Sequence, residues 1–165
     1  LLAHLALAQR GAGEGGSTAA GKGSRGVRFG RLKPGALELL EFLQSHGVRC
    51  VLVTNNSRES AEQVVKLYPL PFDLVWTRED GALKPDPEAF LGPLRRLGVF
   101  PEEAAVVGDS HLDLQAAHAA GIRAIILVKP AAWMRRFFPA DALFEEAEDL
   151  SQVRAWLSSL LLSGS

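Results

Sequence analysis

Three polar clusters in this sequence hold residue types that could do chemistry together: Thr54-Asn55-Asn56-Ser57, Lys84-Pro85-Asp86-Pro87, and Gly108-Asp109-Ser110-His111-Leu112-Asp113. They offer a hydroxyl with nearby backbone N–H donors, one lysine, and two carboxylates four residues apart. Hard oxygen ligands suit a magnesium ion that keeps several waters and shares phosphate oxygens with its substrate. A lysine and a hydroxyl can grip the phosphate, and phosphoryl transfer asks mainly for positioning and neutralisation of its equatorial oxygens. The clusters therefore describe a cation-plus-phosphate site. They do not supply a nucleophile.

The elements around the clusters decide whether they can meet. Val48 to Val53 is a continuous apolar run of the kind a strand shows when both its faces are covered, and it ends at the first cluster. Phe72 to Trp76 is a short strand candidate ahead of the second cluster, and Ala104 to Val107 runs directly into the third. Helical spacing fills the intervals. Ala36, Leu39, Leu40 and Leu43 recur between Pro34 and Gly47, Ser57 can cap a helix over Arg58 to Leu67, and Phe90, Leu94 and Leu97 follow Asp86-Pro87 and precede Gly98. A helix to Ala120 then leads through Gly121 to a strand over Ala124 to Val128, and Val153, Trp156, Leu157 and Leu160 mark a C-terminal amphipathic helix. Strands separated by helix-length segments predict an α/β fold, doubly wound and Rossmann-like, with a largely parallel sheet. Ligands in such sheets bind beyond the carboxyl ends of the strands, where all three clusters fall.

In order, type and spacing, VLVTNNS, LKPDP and VVGDSHLDLQAAHAAGI resemble the later motifs of the haloacid dehalogenase-like hydrolases, phosphatase type, such as the phosphoglycolate phosphatases. The resemblance spans roughly residues 32 to 130. It implies that Thr54 holds the phosphoryl group with Asn55 beside it, and that Lys84 neutralises the phosphate. Asp109 would be the magnesium ligand, and Asp113 the second acid that binds the metal or orients its shell. The implied substrate is a small phosphorylated metabolite and the implied cofactor is Mg2+.

One departure is large. The family's first motif is an Asp-x-Asp pair at the end of a central first strand, and no aspartate precedes Asp73 in this chain. That pair contains the nucleophile and the general acid and base, so covalent catalysis has no evident agent. The sheet is accordingly expected to lack its first, central strand, leaving a gap between the strands ending at Val53 and Val107 with unpaired backbone groups. Residues 1–31 read as a cap remnant or a flexible Gly-rich segment, and 32–165 as the core domain. A truncated enzyme, a spliced form and a phosphate-binding pseudoenzyme are the three readings this leaves.

Composition narrows the remaining choices. A formal charge of −1 gives no basic field for nucleic acid or an anionic membrane. No stretch approaches the roughly 20 apolar residues that a bilayer span needs. LLAHLALAQ looks like the end of a signal-peptide core but has no basic leader, and the lone Cys50 inside an apolar run suits a reducing, cytoplasmic setting. Gly16 to Gly23 approaches the phosphate-loop pattern, yet Gly23 stands where a Ser or Thr should bind magnesium and no strand precedes it, so it reads as linker. His111 and His118 are seven residues apart, too far for a one-turn metal pair, and Trp133, Met134, Phe137 and Phe138 are expected to pack over the sheet edge.

Overall fold

A computed structural model describes residues 2–5, 32–140 and 144–163. Its centre is a six-stranded parallel sheet. In chain order the strands are β1 (Leu2–Leu5), β2 (Arg49–Val53), β3 (Leu74–Trp76), β4 (Ala104–Gly108), β5 (Ala124–Val128) and β6 (Phe144–Ala147), lying side by side as β3-β2-β1-β4-β5-β6. The helices are α1 (Ala36–Ser45), α2 (Arg58–Leu67), α3 (Glu88–Leu97), α4 (His111–Ala119) and α5 (Leu150–Ser163).

Side-chain alternation along the strands builds a core on each side of the sheet. Ala105 and Val107 of β4 point toward Leu39, Leu40 and Leu43 of α1 and Val153 and Leu157 of α5. Ala104 and Val106 of the same strand join Phe90 and Leu94 of α3 and Leu114, Ala116 and Ala117 of α4. All five residues of β4 are buried, so the continuous apolar run reflects cover on both faces. The expected helix stops are in place: Gly47 and Gly98 adopt φ of 71° and 65°, the left-handed conformation that ends a helix at little cost only in glycine. Cys50 is buried in the first core, and burial, aided by nearby Asp73, pushes its thiol up to about 12.

The α/β, doubly wound reading holds, with one difference at the centre. The slot between β2 and β4, expected to stand open, is filled by Leu2–Leu5, which pairs Ala3 with Cys50 on one side and Ala105 on the other. Ladder hydrogen bonds come from the backbone, so the tetrapeptide Leu2–Leu5 can satisfy both flanking strands whatever side chains it carries. The sheet is thus continuous while the acids of the first motif are absent. Leu2–Leu5 lies in the segment read as a cap remnant or linker. Residues 6–31, including Gly16 to Gly23, lie outside the described residues. Among the described residues no helix is long and apolar enough to cross a membrane.

Candidate active site

All three polar clusters emerge at the carboxyl edge of the sheet, each from a different strand. β2 delivers Thr54 and Asn55. The Thr54 N–H donates to the Trp76 carbonyl at 2.9 Å, which ties this turn to the end of β3, and Thr54 Oγ1 accepts from the Asn56 N–H at 3.1 Å. Ser57 caps α2, its hydroxyl accepting from the Ser60 N–H at 3.2 Å.

Asn55 then reaches the second cluster. Its Oδ1 accepts from the Lys84 N–H at 2.9 Å and its Nδ2 donates to the Lys84 carbonyl at 3.1 Å, so one amide grips both backbone groups of the lysine. The loop between β3 and Lys84 is held at its start by Asp80, which accepts from the Thr77 N–H at 2.7 Å and the Thr77 hydroxyl at 2.9 Å and pairs with Arg58. Burial works against the charge of Asp80, but the Thr77 bonds and Arg58 outweigh it and hold the carboxyl below its ordinary range. The Lys84–Pro85 peptide bond is cis.

Lys84 meets the third cluster directly. Its Nζ lies 2.5 Å from Asp113 Oδ1 and 3.4 Å from the Val53 carbonyl, with the two side chains only 10% and 2% exposed. The other oxygen of Asp113 accepts from the Asp109 N–H and the Ser110 N–H, both at 3.2 Å, and from the Ser110 hydroxyl at 3.1 Å. Ser110 and Asp113 thereby form the capping box of α4. Gly108 makes this possible. A Cβ there would stand 2.5 Å from Asp113 Oδ2, inside the space the carboxylate occupies.

Asp109 differs from Asp113. Its side chain is 36% exposed, and Oδ2 has Lys33 Nζ at 3.4 Å. Sequence reasoning missed Lys33, which is 76 residues away from Asp109 and belongs to none of the three clusters; only the tertiary fold brings it in. Among the described residues, no group of three or more His, Cys, Asp and Glu could hold a metal ion. Magnesium, however, is commonly held by one or two carboxylates together with phosphate oxygens and water. Asp109, with one long cation contact and an accessible face, has the acceptor capacity for that. Asp113 has its oxygens committed to lysine and backbone.

The residues expected to pack over the sheet edge divide. Phe138 packs on the second core, whereas Trp133 and Phe137 stay exposed and gather around His111, with ring centroids 5.4 and 5.0 Å from it. His111 opens α4 directly after Ser110, so these rings gather at the start of that helix.

Comparison with known proteins shows the family of the chain. The model of the haloacid dehalogenase-like hydrolases matches residues 28–127. The pyrophosphatase PpaX of Bacillus cereus (strain AH820) is 33% identical over 119 residues, covering 68% of this chain and 55% of the relative. Phosphoglycolate phosphatase 1 of Pseudomonas aeruginosa is 35% identical over 97 residues, covering 57% and 36%. The chain thus spans about half, or less, of the length of these curated relatives. Among solved structures, the HAD phosphatase from Thermococcus onnurineus superposes with a TM-score of 0.66 at 30% identity, over 77% of this chain and 58% of that one. CbbY from Rhodobacter sphaeroides in complex with phosphate gives 0.63 at 28%, over 74% and 56%.

Proposed function

This chain belongs to the haloacid dehalogenase-like hydrolases, and from that premise we propose that its crevice binds the phosphate of a small phosphorylated metabolite as the core of a magnesium-dependent phosphohydrolase. The observation that carries the reading is the buried Lys84–Asp113 pair, fixed from three strands at the carboxyl edge of the sheet. A lysine held this way places a positive charge at the mouth without needing to be ordered when the ligand arrives.

Thr54 and Asn55 bind and orient. The Thr54 hydroxyl serves a phosphate oxygen, Asn55 keeps Lys84 in register, and Lys84 neutralises the ligand's charge. Asp113 is a positioning residue, its oxygens spent on Lys84 and on the turn of α4. Asp109 would hold the magnesium ion, which when bound neutralises phosphate oxygens as charge develops on them. A cytoplasmic setting suits the buried thiol of Cys50. The names of the relatives, a pyrophosphatase and a phosphoglycolate phosphatase, favour a small phosphate ester or anhydride as ligand.

The filled but acid-free β1 favours a second element in this reading: binding without turnover in the chain as it stands. No aspartate precedes Asp73, so nothing at the end of β1 can form an aspartyl-phosphate. Calorimetric titration with inorganic phosphate, in the presence and absence of Mg2+, tests the binding. Binding that disappears in Lys84→Ala supports it, and binding unchanged in that variant overturns it. Turnover is tested by adding an aryl phosphate and Mg2+ to the chain as it stands: phosphate binding without hydrolysis is the expected result, and hydrolysis that Asp109→Asn abolishes overturns this element of the reading.

A further inference from the structure

Lys33 is the cation of this crevice that neither the motifs nor the proposed chemistry uses. Its side chain is 13% exposed, and its backbone is held in the turn that starts α1, where its carbonyl accepts from the Ala36 N–H at 3.2 Å. The ammonium points to Asp109 Oδ2 at 3.4 Å, longer than the roughly 2.7–2.9 Å of a well-formed charge-assisted bond. The neighbouring pair is different, for Lys84 sits 2.5 Å from Asp113 and also donates to Val53. Of the two lysine–carboxylate contacts, the one at Asp109 is the looser and the more open to solvent.

We propose that Lys33 is a built-in counter-ion that competes with a divalent cation for Asp109, so that the crevice exchanges a lysine ammonium for the metal when it loads. The inference rests on reading Asp109 as the metal-holding carboxylate. Charge balance supports it. Lys33 and Lys84 cancel Asp109 and Asp113, leaving the four side chains neutral as a set. A phosphate dianion entering alone would leave that set negative, whereas a phosphate entering with a divalent cation restores neutrality and frees the Lys33 ammonium to turn toward the phosphate. The flexible four-carbon stem of lysine permits this swing without moving the backbone. Asp113 cannot make the same exchange, because releasing it would strand a buried Lys84.

The test uses the whole chain with Mn2+ as the probe, its free concentration read by electron paramagnetic resonance. Removing the competitor in Lys33→Met should tighten Mn2+ binding by about two- to fivefold, the scale of a partly exposed ion pair. Lys33→Arg should stay near the parent, and the gain should vanish when Asp109→Asn is added. Equal affinity in parent and Lys33→Met, absence of Mn2+ binding in both, or a gain that survives Asp109→Asn each overturns the proposal. A second measurement needs no variant: mass-spectrometric acetylation of Lys33 should rise when Mg2+ is added, and a rate indifferent to Mg2+ counts against the exchange. Phosphate titration separates the two readings. Loss of Lys84-dependent phosphate binding would sink the functional reading while leaving the Mn2+ competition standing, and a failed Mn2+ competition would leave phosphate binding untouched.

Discussion

Two lysine–carboxylate pairs sit at the same edge of the same sheet and do different things. Lys84–Asp113 is short, nearly fully buried and tied into backbone N–H groups on one side and a strand carbonyl on the other. Lys33–Asp109 is longer, and its acid is partly exposed. A buried pair resists loss of either partner, because the survivor is left as an uncompensated charge, whereas an exposed pair gains little and loses little. The contrast fits an architectural role for the first pair and the proposed exchange for the second. It also explains how adjacent turns of one helix start can hold both a fixed acid and an available one.

The largest break of this contrast comes from Asp113→Asn. The Lys84 ammonium would be left buried beside a neutral amide, and we expect a loss of about 3–5 kcal/mol in denaturant unfolding. A loss no greater than that of an exposed pair would erase the distinction. Gly108→Ala attacks the same pair from the backbone side, since the added methyl falls where Asp113 Oδ2 now stands and that oxygen is fixed by Asp109, Ser110 and the helix cap. Overpacking against a held group should cost about 1–3 kcal/mol and weaken phosphate binding with it. Unaltered stability in Gly108→Ala would mean that the carboxylate is free to move.

What the sequence made legible follows the same division. Thr54 and Asn55 directly follow β2 and Asp109 directly follows β4, so local patterning and the sheet's topology put them at its carboxyl edge, while Asp113 in the first turn of α4 and Lys84 in the loop after β3 are brought there by the turns between. The helices were readable from periodicity, and their ends from Ser57 and the glycines at φ above zero. Lys33 was not readable. It lies before Pro34, outside the three polar clusters, and nothing in its spacing indicates that the turn leading into α1 brings it to Asp109. β1 was unreadable for a different reason: four residues of LAHL show neither helical spacing nor a turn chemistry that predicts their partners, and pairing with β2 and β4 is decided by the vacancy those strands would otherwise leave. β6 (Phe144–Ala147), with two adjacent glutamates in an edge strand, also lacks the apolar signature of the central strands.

A smaller effect is expected where the loop carrying Lys84 begins. Asp80 anchors that loop through Thr77 and Arg58, and its carboxyl is held below its ordinary value despite partial burial. A folded-state value below the unfolded one means that the contribution is fully present above the ordinary aspartate range and is lost as pH falls through the lowered value. Asp80→Asn should therefore cost about 1 kcal/mol near neutral pH and flatten the acid limb of the stability profile. An acid limb identical in the two proteins would remove Asp80 from the set of groups that fix Lys84.

The smallest effect is expected at the exchangeable pair itself. Lys33→Met keeps most of the aliphatic stem against the crevice and removes only the ammonium, leaving Asp109 partly exposed to water. The stability change should be no more than about 0.2–1 kcal/mol and should shrink further in high salt, which screens an exposed pair far more than a buried one. Chemical denaturation at low and high NaCl measures it against Asp113→Asn. A salt-independent loss as large as that of Asp113→Asn would make Lys33–Asp109 a second structural pair, and Asp109 would then have no carboxylate to lend to a cation.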